Sequence, residues 1–287
     1  MKLLVLSFLL FALAQSALAE IKVAVSIVPH AGLVEAVGGE HIELTILVDE
    51  GQDPHEFTPT PRRVTAISNA DVWFTAGMPF EQLLAEKITE TTENLQLLDL
   101  TKGLALRGME EHDHDHGHDH SHDQAHGDFD PHTWLSPQLV ELQLQTIASE
   151  LSALDPDHAD VFEANAEAFT KKIIELDQQL LARLEPLAKT KFYVFHSAFG
   201  YFADAYGLEE IAIETGGREP SPKQLTRIIA DAKKDGVKLI LVQPQFSQGG
   251  AERIAEAIGA KLTLVDPLGR DVLATLRSLA KAIEESR

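Results

Sequence analysis

Apolar positions along the chain fall into two alternating patterns: short β-branched or apolar runs, and longer stretches in which apolar residues recur at every third or fourth place. The short runs are Ile21–Ile27, Glu43–Val48, Asp71–Thr75 and Leu95–Leu98 in the first half, and Lys191–Phe195, Glu210–Ile213, Val237–Val242 and Lys261–Val265 in the second. Helical stretches such as Pro79–Thr91, Pro222–Asp235 and Gly249–Ile258 lie between them. Strands alternating with helices are the mark of βα units around parallel sheets. The pattern therefore predicts an α/β protein of two lobes, each a mainly parallel four-stranded sheet flanked by helices.

Midway between the two sets of strands, Asp155-Pro156 reads as an N-cap with proline at the first helical position. It is followed by Phe162, Ala166, Phe169, Ile173, Leu176, Leu180, Leu184 and Leu187 at helical spacing. One amphipathic helix of about 30 residues, roughly 45 Å long, is expected to join the lobes. The chain then divides into a leader at 1–19, an N-terminal lobe at 20–154, a connector at 155–189 and a C-terminal lobe at 190–287.

The leader has a basic head, Met1-Lys2, an apolar stretch from Leu3 to Ala14, and a small-x-small ending at Ala17-Leu18-Ala19. These are the features of a secretory signal peptide cleaved after Ala19, too short for a membrane span. The chain has no cysteine, hence no thiol for a lipid anchor and no disulfide framework, and the expected location is the periplasm, with no direct membrane anchor. Without residues 1–19 the side chains comprise 23 basic and 45 acidic residues, a balance of −22. Such a field repels nucleic acid and anionic lipid and gathers cations.

The candidate chemistry lies in histidine. Two Asp-Pro-His tripeptides recur, Asp53-Pro54-His55 and Asp130-Pro131-His132, and the tract 112–126 carries His112, His114, His116, His118, His120, His122 and His126. Neutral imidazole is the commonest protein metal ligand, and a preceding proline limits the freedom lost when the ring is aimed. The tract has no core-forming residues and reads as a solvated loop that contacts metal weakly. His55, His132 and His196 all sit where strands hand over to loops or helices, as does Asp266. Ligands of open α/β sheets bind beyond the carboxyl ends of the strands, so these four are expected to share one cleft as a nitrogen/oxygen site suited to Zn²⁺. His30, His41 and His158 are assigned to structure or solvent.

At this point the sequence resembles a known family, the zinc-binding branch of the metal-specific substrate-binding proteins of bacterial ABC transporters. The likeness rests on Gly51-Gln52-Asp53-Pro54-His55-Glu56-Phe57-Thr58-Pro59-Thr60, Asp130-Pro131-His132-Thr133-Trp134-Leu135-Ser136-Pro137, Phe195-His196-Ser197-Ala198-Phe199-Gly200-Tyr201-Phe202, Pro244-Gln245-Phe246-Ser247 and Val265-Asp266-Pro267-Leu268-Gly269. The resemblance implies two lobes joined by one long helix, with Zn²⁺ as transported cargo held by His55, His132 and His196 and by Asp266 or a water. It also implies delivery to a membrane permease, with no enzymatic activity, and a monomer is expected. Manganese-binding relatives typically carry glutamate where His196 stands, so this position favours zinc, and a manganese or iron receptor of the same type is the nearest alternative. Some zinc-binding relatives place an acid just before the first ligand, where this chain has Pro54. A zinc hydrolase using Glu56 as general base and a periplasmic zinc buffer are the more distant readings. Whether the histidine tract feeds, senses or buffers zinc stays open at this level.

Overall fold

The computed structural model describes residues 20–90, 92, 94–108, 129–214 and 218–285. The expected signal peptide and the histidine tract lie outside the described residues. The first sheet contains β1 (Ile21–Val25), β2 (Ile42–Ile46), β3 (Val72–Thr75) and β4 (Gln96–Asp99), all parallel, in the order β2-β1-β3-β4. The second contains β5 (Lys191–Val194), β6 (Glu209–Ala212), β7 (Leu239–Val242) and β8 (Lys261–Leu264), again parallel, in the order β6-β5-β7-β8. One winding is thus used twice. The strands β3 and β7 are buried along their whole length, as expected of parallel strands covered on both faces.

Helices α1 (Val28–Gly38), α2 (Pro61–Ser68) and α3 (Pro79–Thr89) link the strands of the first sheet, and α6 (Gly200–Ala205), α7 (Pro222–Asp235) and α8 (Gly249–Ile258) those of the second. Their ends follow local chemistry. Proline occupies the first turn of α1, α2, α3 and α7, where its missing N–H costs nothing. Thr60 and Ser221 cap α2 and α7 with their hydroxyls, while Gly236 and Gly259 end α7 and α8 in the left-handed conformation.

The remaining helices are α4 (Pro137–Leu154), α5 (Ala159–Leu184) and the C-terminal α9 (Val272–Glu284), with α5 packed against α1, α4 and α9. The connector starts at Pro156 with Asp155 as its cap, as expected, but its first turn is 3-10 and not α. Asp155 ends α4, and Pro156–His158 forms a separate 3-10 turn in which the Asp155 carboxylate holds His158 Nδ1 at 2.6 Å. The α-helix proper is 26 residues, so about 39 Å long at 1.5 Å per residue. Its stripe Phe162, Ala166, Ile173, Leu176, Leu180 and Leu184 is buried.

One continuous core crosses both lobes, uniting Val25 and Phe74 of the first sheet, Leu176 and Leu180 of α5, Val194 and Leu241 of the second sheet, and Leu276 and Ile283 of α9. Burying each such side chain contributes roughly 1.5–3 kcal/mol. Polar contacts add register to this shared core. Trp134 Nε1 donates to Pro267 O at 2.7 Å, and Arg270 forms a two-pronged ion pair with Glu35. The approach is close: a Cβ on Gly32 would lie 2.0 Å from Arg270 O.

Candidate metal centre

Both Asp-Pro-His tripeptides fold in the same way. Asp53 Oδ1 accepts the His55 N–H at 2.9 Å, and Asp130 Oδ1 accepts the His132 N–H at 3.0 Å. Each is an Asx turn in which the intervening proline has no N–H to satisfy. The device presents the third residue of the tripeptide at the end of a βα loop.

His196 arrives from the other lobe, two residues beyond β5. Gln243 clamps its backbone, accepting from His196 N at 3.2 Å and donating to His196 O at 2.6 Å. Its ring stacks on Phe246 with centroids 4.7 Å apart. The three imidazoles then face one another as a nearly equilateral triangle, with ring centroids 4.9, 5.3 and 5.4 Å apart. Their ligand nitrogens all lie within 4.8 Å of one another, the one such group of three among the described residues. His55 Nε2 and His132 Nε2 are 3.4 Å apart. Tetrahedral bonds of 2.0–2.1 Å to a zinc ion separate neighbouring nitrogens by about 3.3–3.4 Å.

Two of the rings are aimed by carboxylates. Asp130 Oδ1 holds His132 Nδ1 at 2.7 Å, and Glu214 Oε1 holds His196 Nδ1 in a short hydrogen bond. With Nδ1–H donating, each ring turns the Nε2 lone pair toward the centre. His196 Nε2 is buried and has no partner among the described residues. Burial disfavours charge on His55, and the neighbouring His132 and His196 add to this against the pull of Asp130, so its pKa falls to about 2. Burial alone would raise the Asp130 carboxyl, but pairing with His132 and Arg107 outweighs it and holds the group below the usual carboxylate range. A neutral His55 ring and an ionised Asp130 carboxylate suit a divalent cation at this place. Together with Gln245, Phe246 and Leu268, the rings line a cavity of about 10 Å³, room for about one water or ion.

Asp266 is not brought into this group. Its Oδ1 accepts Leu268 N at 2.9 Å and Gln245 Nε2 at 2.8 Å. Asp266-Pro267-Leu268 is therefore a third Asx turn of the same kind, with leucine in the place that histidine holds in the other two. His30 is fully buried edge-on to Trp134, 5.8 Å between centroids, and His41 stacks on His158 at 3.9 Å; none of the three joins the triangle.

Glu214 and Gln243 were not anticipated. A signal existed for Glu214: in the parallel pairing Val194 lies opposite Ala212, so two residues further on His196 comes beside Glu214. For Gln243, two residues before the Gln245 of a recognised motif, no spacing rule pointed to the backbone of His196.

A family model described as zinc-uptake complex component A periplasmic (ZnuA) matches residues 23–286. The chain is similar to the high-affinity zinc uptake system protein ZnuA of Bacillus subtilis, 32% identical over 243 residues that cover 83% of this chain and 73% of the relative. It is also similar to zinc-binding protein AdcA of Streptococcus pyogenes, 30% identical over 89% of this chain, and spans about half of that relative, 52%. A crystal structure of ZnuA superimposes with a TM-score of 0.84 at 37% identity, covering 93% of this chain and 99% of the other. The laminin-binding protein Lmb of Streptococcus agalactiae, described as an adhesin with metal-transporting activity, gives 0.77 at 26% identity over 92% and 99% of the two chains.

Proposed function

Since the chain belongs to the periplasmic zinc-uptake component A family, we propose that it captures one Zn²⁺ between its lobes with His55, His132 and His196 and delivers the ion to an ABC-transporter permease. The observation that carries this reading is the triangle of converging imidazoles, two of them backed by carboxylates, with His55 Nε2 and His132 Nε2 at the separation of neighbouring ligands on tetrahedral zinc. The donor set is nitrogen-rich, which favours zinc over manganese. In the fourth place we put a water. Asp266 has given Oδ1 to its own turn, whereas Gln245 Oε1, which lines the same cavity, is a buried acceptor without a partner among the described residues.

Cleavage after Ala19 would release the chain into the periplasm. No described helix is long and apolar enough to cross a membrane. A role in binding rather than hydrolysis is supported by Glu56, the candidate general base, which lines the adjoining pocket with Asp49 and Arg63 and not the cavity of the imidazoles.

The weaker ions belong to the tract at 112–126. Calorimetric titration of the chain lacking these residues should retain one tight zinc site and lose only weak additional binding, because a preorganised triangle has no ordering entropy left to lose. A tight site that vanished with the tract would overturn the assignment. Glu214→Ala should weaken zinc about 10- to 100-fold in competition with a chromogenic chelator, since it leaves His196 Nδ1–H buried without its acceptor. Unchanged affinity would mean that Gln243 and Phe246 aim the ring by themselves.

A further inference from the structure

We propose that Arg107 is a positioning residue for zinc binding: it fixes His132 through Asp130 and, by pairing at the same time with Asp204, clasps the second lobe to the metal ligand. This rests on the reading of His132 as a zinc ligand and goes beyond it.

The two carboxylate oxygens of Asp130 are divided between two tasks. Oδ1 takes the backbone and ring N–H groups of His132, at 3.0 and 2.7 Å, while Oδ2 takes Arg107 Nη1 at 3.3 Å. Asp130 is buried, with 3% of its side chain exposed, so its rotamer is set by these partners and not by solvent. The Arg107 guanidinium also donates from Nε to Asp204 Oδ2 of α6 at 2.8 Å. Backbone contacts repeat the same bridge. Tyr201, also in α6, accepts from Arg107 N at 3.0 Å and donates to Asp130 O at 2.8 Å. Asp130 N donates to Arg107 O at 2.9 Å, and Gly108 and Phe129 form an antiparallel bridge beside it. The two chain ends that bracket residues 109–128 are thus tied together, then tied to the C-terminal lobe and to a zinc ligand.

Gly200, the first residue of α6, makes room for this arrangement. A Cβ there would lie 1.7 Å from Arg107 Nη1 and 2.5 Å from Cζ. The guanidinium rests against the backbone that starts α6, in a place no other side chain at 200 would leave open. A planar fork reaching two carboxylates in different directions is a task for arginine, which lysine performs only as a point charge.

Two effects of removing Arg107 oppose each other. Loss of a cation near the site would tighten zinc, whereas loss of the partner of Asp130 Oδ2 leaves a buried carboxylate free to turn away from His132. The second should dominate, because Arg107 is shielded by its ion pairs with Asp130 and Asp204 while Asp130 touches the ligand directly.

The test is zinc affinity of the full chain, read at the tight site by chelator competition, for Arg107→Met, Arg107→Lys, Gly200→Ala and His132→Ala. Arg107→Met should weaken zinc about tenfold, the lower figure for outer partners of a ligand histidine. Gly200→Ala should produce a loss of similar size with every charge retained, and Arg107→Lys should restore part of the affinity. The His132 Nδ1–H resonance, read by nitrogen-15 NMR of histidine-labelled protein, should move in both Arg107→Met and Gly200→Ala. Wild-type or tighter zinc binding in Arg107→Met, or in Gly200→Ala if the methionine variant does not fold, overturns the proposal. His132→Ala separates the two readings: if it too binds zinc like wild type, the ligand assignment fails, and if it alone loses zinc, only the role of Arg107 fails.

Discussion

Replacing His132 by alanine is expected to remove most of the thermal stabilisation that zinc confers. An ion that binds only the native state adds RT ln(1 + [L]/Kd), about 4 kcal/mol at a thousandfold excess over Kd. For a chain of this size that corresponds to a rise of roughly 8–16 °C. His132 is tightly held: it is buried, its Nδ1 is held by Asp130, and its Nε2 faces His55 Nε2. A loss of about 100-fold in affinity, the upper figure for removing merely an outer partner, would leave about 1.4 kcal/mol of the stabilisation, and loss of a ligand should leave less. The quantity to compare is the zinc-induced shift in protein lacking residues 112–126, because His132→Ala also opens a cavity that lowers the melting temperature of the zinc-free form. Equal shifts in the two proteins would remove His132 from the site.

The second large effect is expected at His30. This ring is fully buried, neither nitrogen has a partner among the described residues, and burial lowers its pKa from 6.5 to about 3. The unfolded chain therefore binds a proton that the native chain refuses. Stability supplied by the neutral ring is complete above pH 6.5 and is lost as pH falls from there toward 3, by up to about 1.4 kcal/mol per pH unit. In zinc-free protein His55 acts in the same direction. Glu81 and Glu210 act in the opposite direction: burial raises both to about 7, so native protein holds extra protons between about pH 4.5 and 7 and gains stability as pH falls through that window. Stability should stay nearly level from pH 7 to about 4.5 and fall steeply below.

His30→Leu isolates the histidine contribution. At pH 4 the variant should exceed wild type by about 3 kcal/mol, with a further 1–2 kcal/mol at every pH from no longer burying two unpaired ring nitrogens. Zinc affinity should not change, as His30 lies outside the ligand triangle. Urea midpoints across pH 4–8 for both proteins would decide, and parallel curves would show that His30 does not govern the acid limb.

How far each feature could be read in advance follows the range of the interaction behind it. The eight strands were legible to within two residues: central strands such as Val72–Thr75 and Leu239–Val242, buried on both faces, carry uninterrupted apolar runs, and the more exposed edge strands such as Lys261–Leu264 alternate apolar with polar residues. The start of the connector was legible in Asp155-Pro156, but not that its first turn is 3-10, because Asp155 serves two neighbours at once, closing α4 and holding His158. The Asp-Pro-His tripeptides were legible because an Asx turn spans only two residues. The same short range could not separate Asp266 from them: its Asp-Pro makes an identical turn, and only the fold shows that its Oδ1 accepts from Leu268 and Gln245 and that it stands outside the group of three imidazoles.

From the sequence alone came the two sheets, the helix between them, the zinc-uptake family and the three histidines worth watching, all of which depend on periodicity and on motifs a few residues long. The tertiary structure decided that three of the six described histidines converge, and that Asp130 and Glu214 take up Nδ1 of His132 and His196. It also decided that Glu214, 18 residues from His196, and Gln243, 47 residues away, orient that ring. The physical reason is that the latter contacts arise from the pairing of β5 with β6 and β7 and from a core shared by both lobes, so they exist only once segments distant in sequence have packed.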